Sequence, residues 1–182
     1  MPRYAGIFAD AYAAGARIHS NSWGCGREAE DAVTKCNVYD SMAADTDRFV
    51  WDHEDFVVLF AAGNDGTAGA GAVSTPATCK NCITVGSSEG FYDSSVSYQH
   101  KPPAAFPSPH VSNLAEFSSA GPTSPDGRTK PDVVAPGLGV RSAASNGFVS
   151  SAGNCDQSKK SGTSMATPAV AALVAVIRQF FR

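Results

Sequence analysis

The string Phe56-Val57-Val58-Leu59-Phe60 constrains the fold more than any other stretch of the chain. Five apolar residues in a row show neither the alternation of a half-buried strand nor the spacing of an amphipathic helix. The run stops abruptly at the turn-forming residues Ala61-Ala62-Gly63-Asn64-Asp65-Gly66. Such runs fit strands buried on both faces, the situation of a parallel sheet covered by helices. Cys82-Ile83-Thr84-Val85-Gly86 is a second strand of the same kind, and residues 17–24 read as a short strand ending at a working edge. Residues 4–16 place Ile7, Phe8, Ala11, Tyr12 and Gly15 at helical spacing. A further helix is expected around residues 38–52, carrying Met42, Phe49, Val50 and Trp51 beside a polar side. Residues 163–181 form a long, almost wholly apolar helix, expected to be buried, with Pro168 near the first turn where proline is tolerated. Residues 92–113 hold four prolines and two histidines and read as an irregular loop. Residues 114–136 offer short strand-like pieces broken by Gly121-Pro122, Pro125, Pro131 and Pro136. Helices alternating with buried strands predict an α/β layered sheet. No linker or internal repeat divides residues 1–182, so one domain is expected.

Charge narrows the function classes. Fourteen Lys and Arg against seventeen Asp and Glu give a formal charge of −3, which excludes a basic nucleic-acid footprint and an acidic disordered tail. The longest strongly apolar run, residues 169–177, is well short of the ~20 residues that span a bilayer, so no membrane span is expected. Five cysteines (Cys25, Cys36, Cys79, Cys82 and Cys155) point to an oxidising compartment, hence a secreted or extracytoplasmic location. Met1-Pro2-Arg3 is not followed by the apolar stretch of a signal peptide. Both ends look cut: the chain opens inside a helical pattern and closes at Phe180-Phe181-Arg182 without a helix stop signal.

Three segments carry chemistry. Ser161-Gly162-Thr163-Ser164-Met165-Ala166-Thr167-Pro168 opens the last helix. A serine in a first helical turn lies beside unpaired backbone N–H groups and the positive end of the helix dipole, which suits an acyl-transfer nucleophile. Ser and Thr are also the ordinary helix caps. Asn64 follows a buried strand, where ligands bind in α/β sheets, and its amide can donate to an oxyanion. Asn64-Asp65-Gly66 is equally a common turn. Ser20-Asn21-Ser22-Trp23-Gly24 is a small-residue edge along which a peptide can pair through its main chain, or simply a turn after a strand.

Taken together these segments resemble the subtilisin-like serine proteases (peptidase S8) over nearly the whole chain. Residues 161–168 resemble the nucleophile motif, with Ser164 as the attacking serine, and Phe60-Ala61-Ala62-Gly63-Asn64 the oxyanion motif, with Asn64 as donor. Ser22, Trp23 and Gly24 resemble one wall of the primary specificity pocket, with Ala61, Ala62 and Gly63 opposite. Phe117-Ser118-Ser119 with Gly121-Pro122, and Lys130-Pro131-Asp132-Val133 with Ala135-Pro136-Gly137, resemble two structural signatures of the family. Pro76-Ala77-Thr78-Cys79-Lys80-Asn81 resembles the branch with a Pro-Ala-Thr-x-Lys-Asn stretch. The sedolisin-type proteases place an Asp where this chain has Asn64, which argues against them. The resemblance implies a cis peptide at Thr75-Pro76 beside a pocket floor that includes Ser74. It also implies a subtilisin-like fold, a mostly parallel sheet covered by helices, incomplete at its N-terminal side.

The general base is the gap in the pattern. The family carries its Asp in Asp-Ser/Thr-Gly and its His in His-Gly-Thr-His, both upstream of the serine, and neither motif occurs here. His19, His53, His100 and His110 lack that context. The expectation is therefore the carboxyl-terminal portion of a catalytic domain, completed by an upstream segment and acting on peptide or protein substrates. Its alternative is a non-catalytic peptide-binding module. Cys79-x-x-Cys82 precedes a strand rather than a helix, unlike a thioredoxin-type site, and Cys25 with Cys36 is not a second close pair for zinc. The preferred pairing, among the three that four cysteines allow, is Cys25–Cys36 and Cys79–Cys82, with Cys155 unpaired near the Ser164 loop. No metal ligands are assigned and no cofactor is required for catalysis. Structural calcium is common in the family, but Asp65, Asp126 and Asp156 read as turn residues rather than ligands.

Overall fold

A computed structural model describes residues 5–26, 35–90, 113–145, 147 and 156–181. Its main sheet has four parallel strands in the order β1 (Ile18–Asn21), β2 (Val57–Ala61), β3 (Ile83–Ser88) and β4 (Val133–Pro136). Register places Ile18 beside Val57, Leu59 beside Ile83, and Val85 beside Val133. The run at residues 56–60 is the centre of this sheet: Phe56, Val58, Leu59 and Phe60 are all buried.

Alternate side chains of β2 feed two cores. On one face Val58 and Phe60 join Phe8 of α1 (Ala5–Ala13) and Ala43 and Phe49 of α2 (Ser41–Asp52). On the other, Leu59 and Val85 meet Ala166 and Val170 of α3 (Thr163–Phe180). The expected helices and buried strands are therefore present, and the layered α/β reading holds. Asp40 caps α2, its carboxylate accepting from the Ala43 N–H at 3.0 Å. A two-stranded antiparallel ribbon, β5 (Val140–Ala143) with β6 (Gln157–Lys160), leads into α3.

One expectation needs correction. The last helix is not buried all round: Leu173 is 57% exposed, Val176 63% and Phe180 81%. Its inner stripe, including Ala166, Val170, Ala171 and Val174, packs on the sheet, while its outer side is exposed among the described residues. At 18 residues with a mean hydropathy of 1.3, α3 is also long and apolar enough by length and composition to cross a bilayer, which the nine-residue apolar run did not suggest. Its packing on Leu59 and Val85 gives that hydropathy a second origin, the core of the domain. His100, His110 and Cys155 lie outside the described residues.

The disulfides are Cys25–Cys36 and Cys79–Cys82. The Thr75-Pro76 peptide is cis, as the resemblance implied.

Candidate active site

The carboxyl ends of β1 and β2 meet the amino end of α3, and a cleft of about 230 Å³ opens between them. Ser22, Trp23, Gly24, Ala61, Gly63, Asn64, Ser74 and Ser164 line it, together with Cys25, Asp65 and Thr163. The three segments singled out in the sequence thus converge although 142 residues separate Ser22 from Ser164. Ala62 is the exception among the expected wall residues. Its side chain turns away into the core with Val58 and Phe60, as pleating dictates for the neighbour of a cleft-facing residue.

Thr163 ties the serine loop to the asparagine. Its backbone N–H donates to Asn64 Oδ1 at 2.8 Å and its hydroxyl donates to the same oxygen at 3.0 Å. Gly162, which precedes the helix, makes no side-chain cap, so Asn64 supplies the cap from the end of β2. With Oδ1 accepting twice, the amide orientation is determined and the Nδ2 hydrogens are left as donors. The Ser164 N–H, in the first turn of α3, has no carbonyl four residues back within the helix. A helix start of this kind favours negative charge.

Ser164 is part-buried. Its hydroxyl donates to the Ser22 carbonyl at 3.3 Å, while the Ser22 hydroxyl donates to the Ser164 carbonyl at 2.8 Å. This reciprocal pair fixes the edge segment to the helix start. Trp23 sets its ring edge-on to Phe60 with 5.4 Å between centroids. Ser74 is buried under the floor, where an added Cβ on Gly24 would come within 3.0 Å of its Oγ. Gly63 adopts φ +111°, and a Cβ there would lie 2.8 Å from Ser119 Oγ. These two glycines let the walls close in.

The described histidines sit elsewhere. His53 stacks on Phe49 at 4.0 Å between centroids, its Nδ1 2.9 Å from the Phe49 carbonyl oxygen. His19 is part-buried on β1, edge-on to Phe8 of α1 at 5.1 Å, and burial lowers its pKa below the usual histidine range. Among the described residues, no group of three or more His, Cys, Asp or Glu is gathered where it could hold a metal ion.

Three contributors escaped the sequence reading. Thr163 orients Asn64, and its place between Gly162 and Ser164 in the nucleophile motif was the available signal. Asn21, buried at the end of β1, donates from Nδ2 to the Leu59 carbonyl at 3.1 Å and fixes the two strand ends together. Ser119 accepts the Asp65 N–H at 2.9 Å behind Asn64, and only the Phe-Ser-Ser signature pointed to it.

The chain is similar to several known proteins. A Dictyostelium discoideum protein named as serine protease/ABC transporter B family protein tagD is 28% identical over an alignment of 242 residues, which covers 97% of this chain and 13% of tagD. Serine protease AprX of Bacillus subtilis is 32% identical over 160 residues, covering 76% of this chain and 33% of AprX. The chain therefore spans only a small part of these relatives. The solved structure of sphericase superposes with a TM-score of 0.60 over 96% of this chain and 46% of sphericase; at 23% identity it shows the subtilisin-like fold alone. The model of the subtilase family, peptidase S8, matches residues 4–182, and the chain belongs to that family.

Proposed function

We propose that this chain carries the nucleophile and oxyanion half of a serine endopeptidase, and that the general base comes from an upstream segment of the same domain. The observation that carries the reading is the pair of hydrogen bonds from Thr163 to Asn64 Oδ1, which leaves Nδ2 to donate beside the first turn that bears Ser164. In the proposed reaction, Ser164 Oγ attacks the carbonyl carbon of a peptide lying along residues 22–24. The hydroxyl proton passes to the base and then to the departing amine, and water releases the acyl group. Asn64 Nδ2 and the Ser164 N–H receive the oxyanion. Ser74, Gly63 and Ala61 shape the pocket for the side chain preceding the scissile bond. Membership of a protease family and location of the cleft at the strand ends support peptide or protein substrates. Disulfides support a secreted or extracytoplasmic setting.

The upstream segment would cover two open features. β1 stands at one edge of the described sheet, and Leu173, Val176 and Phe180 expose an apolar stripe on α3. A general base must also reach Ser164 Oγ, whose hydrogen bond among the described residues goes to the Ser22 carbonyl. That last contact favours the second reading, a peptide-binding module that does not cut.

Mass analysis after a fluorophosphonate distinguishes the two. A longer form that includes the proposed segment should label stoichiometrically, and Ser164→Ala should abolish the label. Labelling of the 182-residue chain alone would place the base within it. A folded longer form that does not label would leave the binding module as the function.

A further inference from the structure

We propose that the Cys25–Cys36 disulfide is a redox clamp on the cleft: oxidised, it holds the wall formed by residues 22–25 in place, and reduced, it lets that wall move and weakens the binding of an extended peptide. The inference rests on reading the cleft as the substrate site.

The wall lies at the surface and is tied to the fold at Ser22, Trp23 and Cys25. Ser22, Trp23 and Gly24 are exposed, and Cys25 is part-exposed and lines the cleft. Beyond Ser22 and Trp23, the Cys25 N–H donates to the Thr75 carbonyl at 2.8 Å. Cys36, by contrast, is buried, and its carbonyl accepts the Thr75 N–H at 2.8 Å. Thr75 is thus gripped on both sides by the two half-cystines. Its hydroxyl donates to Asp40 at 2.6 Å, the residue that caps α2. The disulfide therefore joins an exposed cleft wall covalently to a buried anchor that also supports the floor beside Ser74.

The second disulfide offers no such lever. Cys79 and Cys82 are both buried, and the loop between them is held independently. The Lys80 and Asn81 N–H groups donate to Asp47 at 2.8 and 2.7 Å, and Arg128 donates to the Thr78 and Cys79 carbonyls. Opening that bond leaves its loop tied. A reductant arriving from solvent meets Cys25 first.

The exchange balances with a dithiol as reductant. One thiolate attacks the Cys25 sulfur, the S–S bond breaks, and Cys36 leaves as a thiolate that takes a proton from water. The second thiolate of the same reductant displaces the Cys25 sulfur and closes its own disulfide. Two electrons pass from dithiol to cystine.

Trp23 reports on the wall directly. The chain has two tryptophans, and Trp51 is 77% exposed on α2, so Trp51→Phe leaves Trp23 as the sole emitter. In that background, dithiol reduction should raise acrylamide quenching of Trp23 about twofold, with or without Cys79→Ser and Cys82→Ser. Cys25→Ser with Cys36→Ser should show the high value from the start and ignore the reductant. In the active longer form, reduction should raise KM for an extended peptide about tenfold and change kcat by less than about twofold. Fluorophosphonate labelling of Ser164, which needs no extended peptide, should be equal in both states. Unchanged quenching and KM after Cys25 and Cys36 titrate as free thiols would overturn the clamp. Absence of labelling in both redox states, with redox-dependent quenching intact, would count against the catalytic reading and support the clamp.

Discussion

At the scale of single residues, the site is a small set of donors held by partners outside the reacting atoms. Asn64→Ala should lower kcat by about 10²–10³, a magnitude taken from the loss of an oxyanion donor in a subtilisin rather than computed from this chain. Steady-state kinetics with KM little changed would bear this out, and an unchanged kcat would remove Asn64 from the mechanism. Thr163 acts through Asn64 and gives a graded test. Thr163→Val keeps the backbone N–H on Asn64 Oδ1 at 2.8 Å and deletes the hydroxyl at 3.0 Å. The expected loss is about tenfold in kcat, the worth of roughly one hydrogen bond, with recovery in Thr163→Ser. A loss with no recovery in the serine variant would point to packing instead, since Thr163 is fully buried.

At the scale of elements, the sequence exposed the strands and the site motifs better than it exposed burial. The run at residues 56–60 was legible because a strand covered on both faces needs no polar alternation, and β2 is covered by α1 and α2 on one side and α3 on the other. The helix at residues 163–181 was legible as a helix but not as a one-sided one, because an apolar residue aimed at solvent looks the same in sequence as one aimed at a core. Ala62 was misplaced among the wall residues for the reason that β2 alternates its faces even inside a uniformly apolar run. Thr163 was hidden by its own motif, which reads through the serine beside it. The two faces of α3 can be told apart by substitution. Leu59→Ala, beneath the inner stripe, should cost about 2–5 kcal/mol in denaturant unfolding. Leu173→Ser should cost less than about 0.5 kcal/mol in the 182-residue chain, as befits an exposed residue, and distinctly more in a form where the proposed segment covers it. Equal costs in both forms would mean that nothing docks there. β1 carries a pH-dependent contribution through His19. Burial lowers its folded pKa, so its contribution to stability is complete above the ordinary histidine value of about 6.5 and is lost as pH falls through the lowered folded value. Melting temperature should therefore drop as pH falls below about 6.5, and His19→Phe should shrink that drop; an identical drop in the variant would exonerate His19.

At the scale of the whole molecule, a parallel sheet brings together chemistry that the sequence keeps far apart. The β1 and β2 ends and the α3 start meet because all the strands point the same way and the helix that returns across the sheet begins at their carboxyl edge. The same architecture leaves β1 at a sheet edge and the outer stripe of α3 exposed among the described residues. If Ser164 and Asn64 address a single oxygen atom, the crystal structure of the fluorophosphonate adduct on Ser164 should place the phosphonyl oxygen about 2.7–3.1 Å from both Asn64 Nδ2 and the Ser164 backbone nitrogen, with Asn64 Oδ1 still held by Thr163. An adduct whose oxygen points to solvent, with Asn64 Nδ2 turned away from it, would rule out a shared oxyanion site.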